Sequence, residues 1–208
     1  MKKTTLIVSM VCLMAGMASA ALLPVDNASF ESADGATDGS GWEYTSGVLL
    51  PFANATYVSD GANCALFNVS AASSAVVYQQ TANSIVSGQT YTLSVDFFSG
   101  RYDLSNYWDT FAMQMWADDG STLSFLAQST LSSATDIAAN TWATPTVSYV
   151  ADGTYAGQDI YIQFQLLNNA HQPSIDNVQL DAVPEPATLG LVAMFGAGML
   201  FIRRKLAI

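Results

Sequence analysis

The chain predicts an all-β fold, a two-sheet β-sandwich of jelly-roll type, on three observations. Apolar residues recur with a period of two. Tyr91, Leu93, Val95 and Phe97 alternate with Thr92, Ser94 and Asp96, while Ile160, Ile162, Phe164 and Leu166 alternate with Tyr161, Gln163 and Gln165. Asp60-Gly61, Ser87-Gly88, Asp119-Gly120 and Asp152-Gly153 punctuate the chain as turns. No segment except the C-terminal tail sustains a period of 3.6. Half-buried strands of this kind hide their apolar faces most economically as two packed sheets.

In chain order, the first element is an address. Met1-Lys2-Lys3 supplies a positive start, Leu6 to Ala15 an apolar stretch, and Ala18-Ser19-Ala20 a small-x-small cleavage site. Residues 1–20 therefore predict a secretory signal peptide cut after Ala20. Residues 21–182 are expected to form the sandwich. Beside the two strong strands, weaker runs lie at Thr56–Val58, Ala65–Val69, Ala75–Gln80, Phe111–Ala117, Thr122–Ala127, Thr146–Val150 and Val178–Leu180. Residues 183–208 are expected to be a sorting tail, with an apolar helix over 187–202 and a basic end at 203–205. At roughly 1.5 Å per residue the helix reaches about 24 Å, short of a ~30 Å hydrocarbon core. Snorkelling by Arg203, Arg204 and Lys205 would close the gap and leave that end cytoplasmic.

Composition narrows the function. Only 11% of the 208 residues are charged, while 4 Trp, 9 Tyr and 10 Phe supply material for a core. Residues 21–183 carry 16 acids against the single Arg101, a net charge of −15. So acidic a surface does not neutralise phosphates, which excludes nucleic acid and anionic headgroups as partners. Cys12 leaves with the signal peptide, so Cys64 has no disulfide partner and reads as a small buried hydrophobe. The sole histidine, His171, sits in the polar loop 168–173, and no nucleophile elbow, phosphate loop or dinucleotide fingerprint is present. No catalytic residue is assigned.

Val183-Pro184-Glu185-Pro186, the apolar segment and the terminal Arg203-Arg204-Lys205 resemble the PEP-CTERM sorting signal of Gram-negative bacteria. The resemblance implies export by signal peptidase across the inner membrane and a transient membrane anchor. It also implies cleavage near Pro-Glu-Pro by an exosortase, release at the cell surface, and an association with exopolysaccharide or biofilm matrix. Asn27-Ala28-Ser29-Phe30-Glu31, Gly88-Gln89-Thr90-Tyr91-Thr92-Leu93-Ser94 and Ile175-Asp176-Asn177-Val178 resemble galactose-binding-like jelly rolls, in particular carbohydrate-binding modules. That resemblance implies the fold and a polysaccharide ligand.

Two candidate sites follow. The loop 100–109 gathers Arg101 with Tyr102, Tyr107, Trp108 and two aspartates, so aromatic faces would stack on a sugar and polar groups would bond its hydroxyls. Alternatively, Tyr107 and Trp108 tuck into the core edge and Arg101 pairs with an acid. The second site is a structural calcium ion on Glu31 and Asp176, with Asn27 a weaker candidate. In a regular strand Asp176 shares a face with Val178 and Leu180 and points inward, where a bare carboxylate needs a cation. The resembling modules carry such an ion between their first and last strands. A bulge after Ile175 would instead turn Asp176 to solvent. The expected function is an exported, non-catalytic surface or matrix protein that binds glycan. The alternative is a calcium-dependent enzyme on the same scaffold, a lyase, a cyclase or a glycoside-active enzyme.

Overall fold

The structure is a computed structural model that describes residues 19–32, 41–45, 47–67, 74–100, 110–132, 137–138, 140–167 and 173–185. Ala21–Ala182 form one compact unit. The described residues form twelve strands: β1 (Ala21–Leu23), β2 (Glu43–Tyr44), β3 (Val48–Phe52), β4 (Cys64–Phe67), β5 (Ser74–Ser84), β6 (Gln89–Phe98), β7 (Thr110–Asp118), β8 (Leu123–Leu131), β9 (Trp142–Ala143), β10 (Thr146–Val150), β11 (Asp159–Leu167) and β12 (Ser174–Pro184). They build two antiparallel sheets. One has the order β10-β6-β12-β4-β3, with β1 added to β12 and β9 to β6, and the other runs β2-β5-β11-β7-β8. The turn glycines Gly88, Gly120 and Gly153 have φ of 76°, 86° and 100°, a left-handed backbone that side chains resist.

The expected all-β architecture is therefore observed, with one strand misplaced. Thr56–Val58 is a turn leading out of β3 rather than a strand of its own. Tyr57 and Val58 are buried or half-buried in it because they pack on the outer face of a sheet, not because they alternate along a strand. The signal peptide and the tail helix lie outside the described residues. Among the described residues no helix is long and apolar enough to cross a membrane.

Facing side chains of the two sheets make the core, in which Phe111 is central. Its ring lies 4.6 Å from Phe97 and 5.6 Å from Phe67 across the sandwich, and 6.2 Å from Phe164 on its own sheet. Trp42 closes one end against Phe30 and Phe164 at 5.0 and 5.9 Å. A second, smaller cluster lies on the outer face of the larger sheet. Tyr57, Cys64, Leu66 and Phe98 meet there under the 53–63 segment, with Phe52 and Val58 packed against them. That explains why β4 is buried at all four positions, Cys64 included. Burial, with the Asp176 charge nearby, pushes the Cys64 thiol up to about 12.

Alternation fails in β12. Ile175, Val178 and Leu180 all reach the main core, a step of three followed by a step of two. The irregularity is Asn177, whose φ of 47° is a left-handed conformation that asparagine tolerates better than most residues. Upstream of it, Ser174 and Asp176 share the outer face and meet the covering segment.

Candidate functional site

Glu31 and Asp176 converge on one stretch of that segment. Asp176 is fully buried, and its Oδ2 accepts hydrogen bonds from the backbone N–H of Ser59 at 2.7 Å and of Asp60 at 2.8 Å. The Ser59 hydroxyl adds a third donor at 3.2 Å, and the Asn177 N–H reaches Oδ1 at 2.8 Å. Glu31 Oε1 accepts the N–H groups of Ala62 and Asn63 at 2.7 and 2.8 Å, and Oε2 accepts the Asn63 side-chain amide at 3.2 Å. The two carboxylates thus clamp residues 59–63 by their amides.

This geometry revises the reasoning about Asp176. It is buried, but against the covering segment and not on the face of Val178, because Asn177 resets the phase. The left-handed residue does not turn it to solvent either. Four hydrogen-bond donors meet its charge in part, and burial still outweighs them. The N–H groups concentrate on Asp176 Oδ2 and Glu31 Oε1, while Asp176 Oδ1 and Glu31 Oε2 each accept one bond and keep further lone pairs for an oxygen-seeking cation such as calcium. Among the described residues no group of three or more His, Cys, Asp or Glu could hold a metal ion.

The two acids titrate in opposite senses. The Asn63 N–H holds Glu31 below the usual carboxylate range, whereas burial lifts Asp176 above it despite the donors from Asp60, Ser59 and Asn177. A depressed acid contributes stability above its unfolded pKa and loses it as pH falls through the folded value. A raised acid contributes most below its unfolded pKa and loses that contribution as pH rises through the folded value. On acidification Asp176 therefore takes its proton first, and stability is lost through Glu31 only as pH falls through its depressed value.

Arg101, Tyr102, Tyr107 and Trp108 lie outside the described residues, as do His171, Pro186, Arg203 and Arg204. Pro184 ends β12 and Glu185 follows it. Asn27 turns its backbone left-handed at φ 48° and uses Oδ1 to accept the Ser32 N–H at 3.0 Å.

The side chains that the structure gathers into a site stand instead on the solvent face of the five-stranded sheet. Strand register arranges them in rows. One row runs Glu43–Tyr78–Gln163–Gln114–Gln128 across β2, β5, β11, β7 and β8. The next runs Gln80–Tyr161–Trp116–Phe125, and the third sets Asp159 directly opposite Asp118. The rows are locally braced. Gln163 Nε2 donates to Gln114 Oε1 at 2.7 Å, and Gln114 Nε2 donates to Gln128 Oε1 at 2.6 Å. Tyr78 stacks on Tyr161 at 5.4 Å, Trp116 meets Phe125 edge-on at 5.2 Å, and the Tyr78 hydroxyl donates to Glu43 at 2.6 Å.

That hydrogen bond pushes the Tyr78 phenol up, and burial with neighbouring negative charge pushes Tyr161 up further. Both hydroxyls stay protonated at neutral pH. Trp116 Nε1 is buried with no partner among the described residues, a donor left unpaid in the middle of the face. Aromatic residues are common in strands, but a contiguous row of rings on an outer sheet face, Tyr161, Trp116 and Phe125, marks a candidate binding surface. The signal was in the sequence, in the outward letters Tyr161, Gln163 and Gln165 of a strand whose inward letters set the fold. What was missing was the pairing that puts Trp116 and Phe125 beside them.

Comparison with known proteins places the scaffold. A Stig cyclase of Fischerella sp. TAU in complex with (3Z)-3-(1-methyl-2-pyrrolidinylidene)-3H-indole is 22% identical, with a TM-score of 0.62 over 80% of this chain and 99% of that one. A cyclase of the same organism in complex with 4-(1H-indol-3-yl)butan-2-one is 20% identical, with a TM-score of 0.62 over 79% and 98%. The xylan-binding CBM22-1 domain of Paenibacillus barcinonensis Xyn10C reaches a TM-score of 0.53 at 13% identity, over 81% and 99%. These likenesses show the jelly-roll β-sandwich that carbohydrate-binding modules share. No curated protein matches the chain. The family model for HpiC1-like proteins, described as HpiC1 cyclase, matches residues 21–181. That match overturns the expectation of a non-catalytic glycan-binding protein and favours the enzymatic alternative. Spanning the sandwich from its first strand to its last, it makes this chain a member of the HpiC1-like cyclase family.

Proposed function

We propose that the sandwich is a cyclase-type enzyme whose substrate lies on the solvent face of the five-stranded sheet. The observation that carries this reading is the Tyr161–Trp116–Phe125 row, braced by Tyr78 on one side and by acids on the other. Ring closures that pass through carbocation-like species need positive charge stabilised as it develops. Fixed aromatic faces and carboxylates do so without reorganising at the moment of reaction. The glutamine row offers oriented amides to a polar substituent, and the indole compounds bound by the Fischerella cyclases have the flat shape such a row would hold.

The test is calorimetric titration of the protein with 4-(1H-indol-3-yl)butan-2-one. Saturable binding is expected, weakened at least tenfold by Trp116→Ala, since aromatic contacts beyond area burial are worth about 0.5–1.5 kcal/mol and the lost area adds to them. Equal binding by parent and variant would move the site elsewhere.

Targeting belongs to the same proposal and rests on the residues read above. The chain is exported by its residues 1–20, held transiently by 187–202 and cut near Pro186 by an exosortase, so the enzyme works outside the inner membrane. Intact-mass analysis should find a mature chain from Ala21 to about Pro186. Cell-surface material that still carries Arg203 and Arg204 would refute the sorting step.

A further inference from the structure

We infer that the solvent face of the five-stranded sheet takes a cationic ligand: a small planar aromatic molecule carrying a protonated amine, whose charge settles between the aromatic row and the Asp118–Asp159 pair. This rests on the reading of that face as the substrate site and specifies what it selects.

The first argument is an electrostatic imbalance. Asp159 and Asp118 are directly opposed in an antiparallel pair, an arrangement in which like charges destabilise a sheet. Among the described residues there is no Lys or Arg at all, so no described side chain offsets the pair. Each carboxylate spends Oδ1 locally, Asp159 on the Ser84 hydroxyl at 2.9 Å and Asp118 on the Gly120 N–H at 2.8 Å. Neither bond brings countercharge.

The second argument is space. The two acids line a recess of about 380 Å³ together with Gln80, Asp119 and Gln158, a size suited to a bicyclic molecule. Gln158 Oε1 is buried with no partner among the described residues.

The third is proximity to the rings. Tyr161 and Trp116 are two residues along β11 and β7 from Asp159 and Asp118, which places the rows about 7 Å apart. A cation over the rings, within about 6 Å of their centroids, is therefore also within electrostatic reach of both acids. Glu43 adds negative charge at the far side, bound to Tyr78. A bare metal ion fits less well, because the charged oxygens come from too few acids and the neighbouring surface is aromatic.

The experiment is calorimetric titration of the full-length protein at low ionic strength with tryptamine and with tryptophol, its neutral hydroxyl counterpart. Tryptamine should bind at least tenfold more tightly, and Trp116→Ala should weaken both. In Asp118→Asn/Asp159→Asn the two affinities should converge, as they should in the parent at molar salt. The double variant relieves a repulsion, so it is expected to fold at least as well as the parent. Equal affinities in the parent would overturn the inference and leave the substrate face standing. Binding of neither compound would remove the face itself. Competitive displacement of tryptamine by calcium at equimolar concentration would assign the acids to an inorganic cation instead.

Discussion

Asp176→Ala should lower the stability of the sandwich by about 3 kcal/mol, with no dependence on calcium. The substitution deletes the buried carboxylate that accepts from the N–H groups of Ser59, Asp60 and Asn177. A buried donor stripped of its partner costs about 1–3 kcal/mol. Two opposing effects keep the total below the sum. Burial already disfavours the Asp176 charge, which its raised pKa records, and removing it returns that penalty. The Ser59 hydroxyl also keeps a second acceptor, Asp96 Oδ2 at 2.9 Å. For a domain of this size the midpoint should fall by roughly 6–12 °C. Asp176→Asn retains an oxygen for the Ser59–Asp60 amides and drops the charge, so it should cost only about 1 kcal/mol. Thermal unfolding of both variants, each in calcium and in chelator, separates the alternatives. Unchanged stability in Asp176→Ala would dissolve the clamp. A calcium-dependent rise in the parent that is absent in the variant would put an ion back between Glu31 and Asp176.

What the sequence showed, and where it stopped, follows from which interactions are local. β6 and β11 were legible because alternation is a property of one strand and needs no partner. The glycine turns were legible because a left-handed backbone restricts the residue type at a single position. β12 was half legible. Its apolar residues marked a strand, but the step from Ile175 to Val178 depends on the conformation of Asn177, which no alternation reveals. Asp176 was rightly seen as buried and wrongly seen as facing the core, because the segment that covers it comes from over a hundred residues earlier in the chain. The aromatic face was illegible for the same reason. Tyr161, Trp116 and Phe125 are neighbours only through two strand registers, one of which contains an irregularity between Met115 and Trp116. Aspartate pairs were present everywhere in an acidic chain, so Asp118 and Asp159 stood out only once they were opposed.

β7 carries the second large prediction, because its two faces do different work. Phe111→Ala should cost about 3–5 kcal/mol, the range for removing a fully buried ring. Three other rings lean on Phe111, two of them from the opposite sheet, so the vacated space lies between layers that backbone pairing holds apart and collapses poorly. The midpoint should drop by roughly 6–20 °C. Trp116→Ala, five residues along the same strand and pointing the other way, should change stability by about 1 kcal/mol or less. It loses the edge contact to Phe125, but it also removes an indole N–H that is buried without a partner. The functional readout should invert. Phe111→Ala, measured well below its midpoint, should keep affinity for the indole ketone within about threefold of the parent. Trp116→Ala should lose at least tenfold, about 1.4 kcal/mol. A protein in which Trp116→Ala unfolds as readily as Phe111→Ala would show the outer aromatic row to be a second core rather than a binding surface. A Phe111→Ala variant that stays folded but fails to bind would place the substrate between the sheets. Either result would relocate the chemistry of this fold from its face to its interior.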